Sequence, residues 1–427
     1  MQESFLHFVW QFQYFDKKDL LTSEREDINI IQPGIYNTDS GPDFSDSKIL
    51  MKEMLWHGHT EIHLKSSDWN VHNHQDDPAY NKVILHVVWD DDKPAFRSDG
   101  TAIPTIELKN RISYDLISKY NGLINYPDAV PCANQLPNVA EIIRYSMLDK
   151  ALMQRIERKS RVARKLLVLN QNDWEKTSYQ LLAQNFGFKV NSQAFFKLSE
   201  AVPLKIMQKQ SKLVHLEALF FGQAGLLQEE GLDPYMNLLK SEYEFLVNKY
   251  SLVTKKLEKH EWRYLRMRPA NFPPVRIAQF AALLHKLPFL FSFFKEEADY
   301  KNLFKILQVN SSDYWHDHYD FGKKSARTVI GLGKSSVENI IINTVIPLLV
   351  SYGHVHDEQD YIDRALDFMQ NLPAENNRIT RLWKGFGFNI KNGFDSQGVI
   401  EINNNFCSLR KCLECNIGTS LLKQSYN

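Results

Sequence analysis

The feature of this 427-residue chain that most restricts its fold is a change of hydrophobic period along its length. Between about residues 31 and 110, turn signals at Pro33-Gly34, Gly41-Pro42, His57-Gly58 and Asp99-Gly100 cut the chain into short runs. These read as strands at roughly 44–51, 59–66, 82–89 and 103–108. From about 138 to 390 the apolar residues recur every three or four positions, as on amphipathic helices. The spacing predicts helices over 139–168, 174–186, 211–227, 236–250, 275–294, 336–352 and 358–371. Residues 1–30 also read as helical, with Phe5, Phe8, Val9, Phe12 and Phe15 at helical spacing. The expected fold class is α+β. A mixed α/β domain of short strands occupies 1–130, a mainly α-helical body 131–393, and a short cysteine-bearing tail 394–427.

Charge divides along the same line. The chain is neutral overall, but residues 1–130 hold 12 Lys/Arg against 21 Asp/Glu, and the remainder 39 against 30. An acidic segment joined to a basic one suits a metal site beside a polyanion-binding surface, or two halves that attract each other. Six of the fourteen histidines fall between 57 and 86. Side chains two apart share a strand face, so His57, His59, Glu61, His63 and Lys65 are expected to project one way. Imidazole and carboxylate together are ligands for divalent metals. His72-Asn73-His74 follows, and His86 sits inside the apolar run Val83–Trp89. A histidine buried there needs a partner or a metal.

Pro42-Asp43 before one strand, then Glu61-x-His63 on the next, resembles the PD-(D/E)XK nuclease superfamily. The resemblance implies that Asp43 and Glu61 bind a divalent cation, Mg or Mn, that activates water. His63 stands where that pattern has lysine, and Lys65 is the substitute one strand step on. Asp43, Glu61, His63 and Lys65 are thus the expected catalytic residues, and Asp43, Glu61, His72, His74 and His86 the expected ligands. A rival is a cupin-like His/carboxylate centre on a β-barrel, although the glycine and glutamate spacing of that motif is missing. Taken together, the segments GPDF, EIHLKSSDW, HNHQDD, VILHVVW and CSLRKCLECNIG resemble a bacterial family known as domain of unknown function 2851. That resemblance spans almost the whole chain and implies a bacterial cytoplasmic protein.

Cys407-x4-Cys412-x2-Cys415 in the tail, with the distant Cys132, can complete a four-thiolate zinc or iron–sulfur site. Arg155, Arg158, Arg161 and Lys165 on the first long helix, and Arg266 and Arg268 further on, are candidate phosphate contacts. Gly331–Ser336 fails as a phosphate loop, because position 328 is Thr where the motif needs Gly. The N-terminus lacks the marks of a signal peptide, and no apolar run reaches membrane length. The expectation is a cytoplasmic protein without a membrane or an obvious protein partner. It would be a metal-dependent nuclease-like phosphodiesterase acting on nucleic acid. The alternative is a non-enzymatic nucleic-acid-binding or scaffold protein with a structural metal.

Overall fold

The computed structural model describes residues 1–227, 233–252, 256–326, 328 and 331–423. The chain forms two compact units, one of residues 1–148 with 401–427, the other of residues 149–400. The first unit is therefore discontinuous: its two pieces come from opposite ends of the chain, and the whole second unit is inserted between them. The division at 148 falls inside a long helix, 18 residues beyond the expected boundary at 130, and the tail belongs to the first unit.

The first unit opens with helix α1 (Glu3–Phe12), which buries Phe5, Leu6, Phe8, Val9 and Trp10. The helical pattern of residues 1–30 is thus realised only in part. The helix stops at Gln13, whose left-handed backbone (φ 56°) ends the ladder. Six strands follow: β1 (Ile28–Gln32), β2 (Ile35–Tyr36), β3 (Phe44–Met51), β4 (Met54–Lys65), β5 (Val83–Asp90) and β6 (Thr105–Glu107). The main path of the sheet runs β1-β3-β4-β5-β6, with β2 also pairing β3. β1 and β3 pair antiparallel, as do β3 and β4, whereas β4–β5 and β5–β6 pair parallel. The sheet is open, with β1 and β6 at its edges, so the barrel form of a His/carboxylate centre does not apply.

The strands form because their buried faces are apolar. Ile62, Val83, Leu85, Val87 and Val88 are all inaccessible, and β5 is buried on both faces over six residues, as an inner parallel strand requires. The parallel β4–β5 step needs a crossover, and residues 66–82 supply it. They contain one short helix, α2 (Asp68–Val71), and two single 3-10 turns at His74–Asp76 and Pro78–Tyr80. Trp69, fully buried, anchors this crossover on Val83, Ala95 and Ile103, and its indole N–H donates to Phe96 O at 2.9 Å. Helix α3 (Tyr114–Ile124) follows, capped by Ser113.

The second unit begins within α4 (Glu141–Leu169) and is almost wholly helical. Its one large core gathers Phe186, Phe195, Phe220, Phe221, Phe280 and Trp315 among many aliphatics. Helix α5 matches its expected range, Trp174–Phe186. The expected helix 275–294 is two, Pro273–Lys286 and Leu290–Glu296, because Pro288 cannot continue the first. The expected 336–352 helix is longer, a 23-residue rod over Lys334–His356. It is long and apolar enough to cross a membrane, yet 83% of its apolar stretch is buried. A π turn at Ile341–Val345 widens it just before Pro347. Proline has no N–H for the carbonyl four residues back, and Asn185 Nδ2 donates to that carbonyl, Asn343 O, at 2.8 Å.

Candidate metal centre

The β3–β4 hairpin sets Phe44 opposite Thr60, which brings Asp43 beside Glu61. The two carboxylates grip each other's strands. Asp43 Oδ2 accepts from Ile62 N–H and Glu61 Oε2 accepts from Asp43 N–H, both at 3.0 Å. Glu61 lies across from His86 in the parallel β4–β5 register, so His63 and His86 come together: His63 Nδ1 is 2.8 Å from His86 Nε2. The other nitrogen of His63, Nε2, is 3.1 Å from His72 Nδ1. The crossover aims His72 and His74 at the sheet. Asn73 between them takes the left-handed conformation (φ 59°), which asparagine tolerates, and the His74 ring stacks on Tyr80 at 3.8 Å.

Among the described residues, one group of three or more ligating side chains has all its ligand atoms within 4.8 Å of one another: His63, His72 and His74. Glu61 stands at its edge, with Oε1 3.3 Å from His74 Nε2 and 3.7 Å from His63 Nε2. Imidazoles bound at ~2.0–2.1 Å to a tetrahedral ion are separated by about 3.3 Å; here His63 Nε2 and His72 Nδ1 are 3.1 Å apart, and all three ligand atoms lie within 4.8 Å. His74 Nε2 is buried without an aligned hydrogen bond, an orphan that a metal would satisfy. The donor chemistry and the spacing both fit a divalent ion.

Burial, reinforced by the neighbouring imidazoles, holds His63 down at about 2, and burial, with His74 nearby, holds His86 at about 3. Both rings are therefore neutral at physiological pH, the form that binds metal. Burial raises Glu61 above the usual carboxylate range.

Several expected roles change. His63 is central to the group, while His86 backs it from behind and does not itself belong to it. Asp43 is also outside the group; its Oδ2 faces His7 Nε2 at 3.2 Å. Lys65 is exposed at the end of β4, and its backbone N–H donates to Asp68 Oδ2 at 3.0 Å. The expected five-residue face of β4 is unevenly buried: Glu61 and His63 are buried, whereas His57 and Lys65 are exposed. β3 is irregular between Phe44 and Ser47, with Asp46 at φ 56°, and the β4–β5 register shifts between His59 and Thr60. His57 ends up 58% exposed, 3.8 Å from Asp46 and apart from the histidine group.

His7, on α1, is a site residue that the strand and motif patterns do not reveal. Burial opposes its charge, but the adjoining Asp43 carboxylate outweighs that and raises its pKa. Glu3 lies 3.8 Å from it, one helical turn back. The i, i+4 pair Glu3/His7 is visible in the sequence, yet nothing in it signals that α1 packs against β4.

In the second unit Arg158, Arg161, Lys165, Arg266 and Arg268 are exposed. Arg155 is partly buried and donates to Gln397 at 2.7 Å, and Arg161 lies 3.6 Å from Glu157. Part of the expected basic face is thus paired within the unit.

Residues 3–378 match the model of a family described as protein of unknown function, DUF2851. The chain belongs to this family. The match takes in every residue of the histidine site and Cys132, and it ends before Cys407, Cys412 and Cys415. No curated protein and no solved structure matches the chain.

Proposed function

We propose that the first unit is a metal-dependent hydrolase of phosphodiesters, nuclease-like, whose ion is held by His63, His72 and His74 with Glu61 at the edge. The observation that carries this reading is the hairpin geometry. It brings Asp43 and Glu61 side by side, and the β4–β5 crossover adds His72 and His74 to His63 beside them. A site for a purely structural ion is usually closed, whereas here the three histidines grade from buried through half-buried to exposed, with His72 open to solvent. Three imidazoles favour zinc, manganese or iron over magnesium, which prefers an all-oxygen shell. A bound divalent ion would supply Lewis acidity and a water of lowered pKa. In this reading Asp43, steadied by the Ile62 N–H and beside His7, accepts a proton from an attacking water. The exposed cations of the second unit offer contacts for nucleic-acid phosphates.

The test combines elemental analysis with a cleavage assay on single- and double-stranded DNA and RNA, with zinc or manganese added. The expected result is metal-dependent cleavage. His74→Ala loses the ion of this site and turnover with it, whereas Asp43→Asn keeps that ion and lowers turnover by about 100-fold or more. Metal-loaded wild type that cleaves none of these substrates faster than Asp43→Asn would overturn the reading.

A further inference from the structure

The cysteines form a second constellation, independent of the histidine site. Cys132 lies after Val130-Pro131, where Gln135 N–H and Leu136 N–H both donate to its carbonyl at 2.9 and 3.0 Å. The other three come from the far end of the chain, 275 residues or more later. All four are buried, none is disulfide-bonded, and all four line one small cavity beside Pro131 and Phe406. The polypeptide is shaped to bring them there. A turn at Arg410 (φ 55°) follows Cys407, and Cys415 N–H reaches back to Cys412 O at 3.3 Å. Gly418 lets the next helix approach so closely that an added Cβ would lie 2.2 Å from Cys412 O. Arg410 also donates to Asp128 O and Tyr126 O at 2.9 and 2.8 Å, tying this turn to the loop before Cys132.

We propose that Cys132, Cys407, Cys412 and Cys415 form a tetrathiolate metal centre, for one zinc ion or an iron–sulfur cluster, that fastens the C-terminal segment to the N-terminal part of the first unit. Four thiols from both ends of a discontinuous unit meet where its C-terminal piece packs against its N-terminal one. A cross-link there closes a very long loop, and closing a long loop takes the most entropy from the unfolded chain. On binding, each thiol gives its proton to solvent and its sulfur lone pair to the metal, with no redox step. The site has two possible occupants because of its width. No three of the sulfurs lie within 4.8 Å of one another, while thiolates on a zinc ion at ~2.3 Å stand about 3.8 Å apart. Zinc would draw the sulfurs inward, and a cluster would hold them wider.

The experiment uses the full chain, purified without oxygen and with no metal added. An organomercurial titrates its thiols while released zinc and iron are measured in the same sample. The expected result is metal released in step with four thiols: about one zinc per chain, or iron with acid-labile sulfide and a visible charge-transfer band. His74→Ala, which alters only the other site, releases the same amount. Cys412→Ser and Cys415→Ser release metal only at background level on mercurial addition, and any ion at the histidine site is left in place. Free thiols that react with no release of metal would overturn the proposal, as would a disulfide between any of these cysteines. The titration of the unaltered chain separates these outcomes even if the serine variants fail to fold.

Discussion

His63 and His86 show how single residues set the chemistry and the stability of the first unit together. Each is held far below its ordinary value of 6.5, at about 2 and about 3. Below 6.5 the unfolded chain therefore binds protons that the folded one refuses. Their contribution to stability is complete above 6.5 and is lost progressively as the pH falls toward the folded values. Melting temperatures of chelator-treated protein, taken between about pH 7.5 and about pH 5, should hold down to about 6.5 and fall below it, and His86→Gln should flatten that fall. An identical slope in that variant would mean that the imidazole is not responsible. Trp69 matters for a different reason. It fills the space under the crossover and touches the rings of His74 and His86, at centroid distances of 5.3 and 5.5 Å. Trp69→Ala should cost about 3–5 kcal/mol in urea unfolding and weaken metal binding as well, because the cavity frees His74 to turn away.

At the scale of elements, the parallel β4–β5 pair is the most exacting contact in the site. Gly58 allows it: a Cβ there would lie 2.4 Å from Lys82 O and 2.5 Å from Ile84 Cγ2. Gly58→Val should destabilise the first unit by about 1–3 kcal/mol, read from the denaturant midpoint, because the crossover cannot back away without losing the His59 N–H to Lys82 O bond. Gly122 in α3 makes the opposite case. Nothing lies within 4 Å of a Cβ placed there, and its backbone is helical. Gly122→Ala should stabilise by about 0.5–1 kcal/mol through helix propensity alone. If Gly58→Val matched wild type in the same titration, close strand approach would not be what keeps that position small.

For the molecule as a whole, the consequence of its topology is that the first unit cannot be completed until the last residues are available. The helix Asn416–Lys423 packs on α3, and Lys423 covers the Phe12 ring at 4.2 Å. Removing residues 401–427 should therefore deprotect amides across 1–148 in hydrogen exchange while the helices of 149–400 keep their protection. Deprotection spread evenly over the chain would show that the two units do not unfold separately.

Elements with a strong local period could be read from the chain alone. Phe44–Met51 and Trp174–Phe186 fall where the pattern places them, because a buried face imposes its period on the residues that form it. The approach of Asp43 to Glu61 was foreshadowed by residue type and spacing, whereas His63, expected in the place of a catalytic lysine, groups instead with His72 and His74. What the sequence could not carry was anything set by register or by distant contact. The parallel β4–β5 pairing put His86 behind His63. The packing of α1 added His7, which lies 36 residues from its partner Asp43. That the tail joins residues 1–148 across an inserted unit of 252 residues is likewise a matter of tertiary structure. Local pattern records which side of an element is buried, and only the folded chain decides what is buried against it.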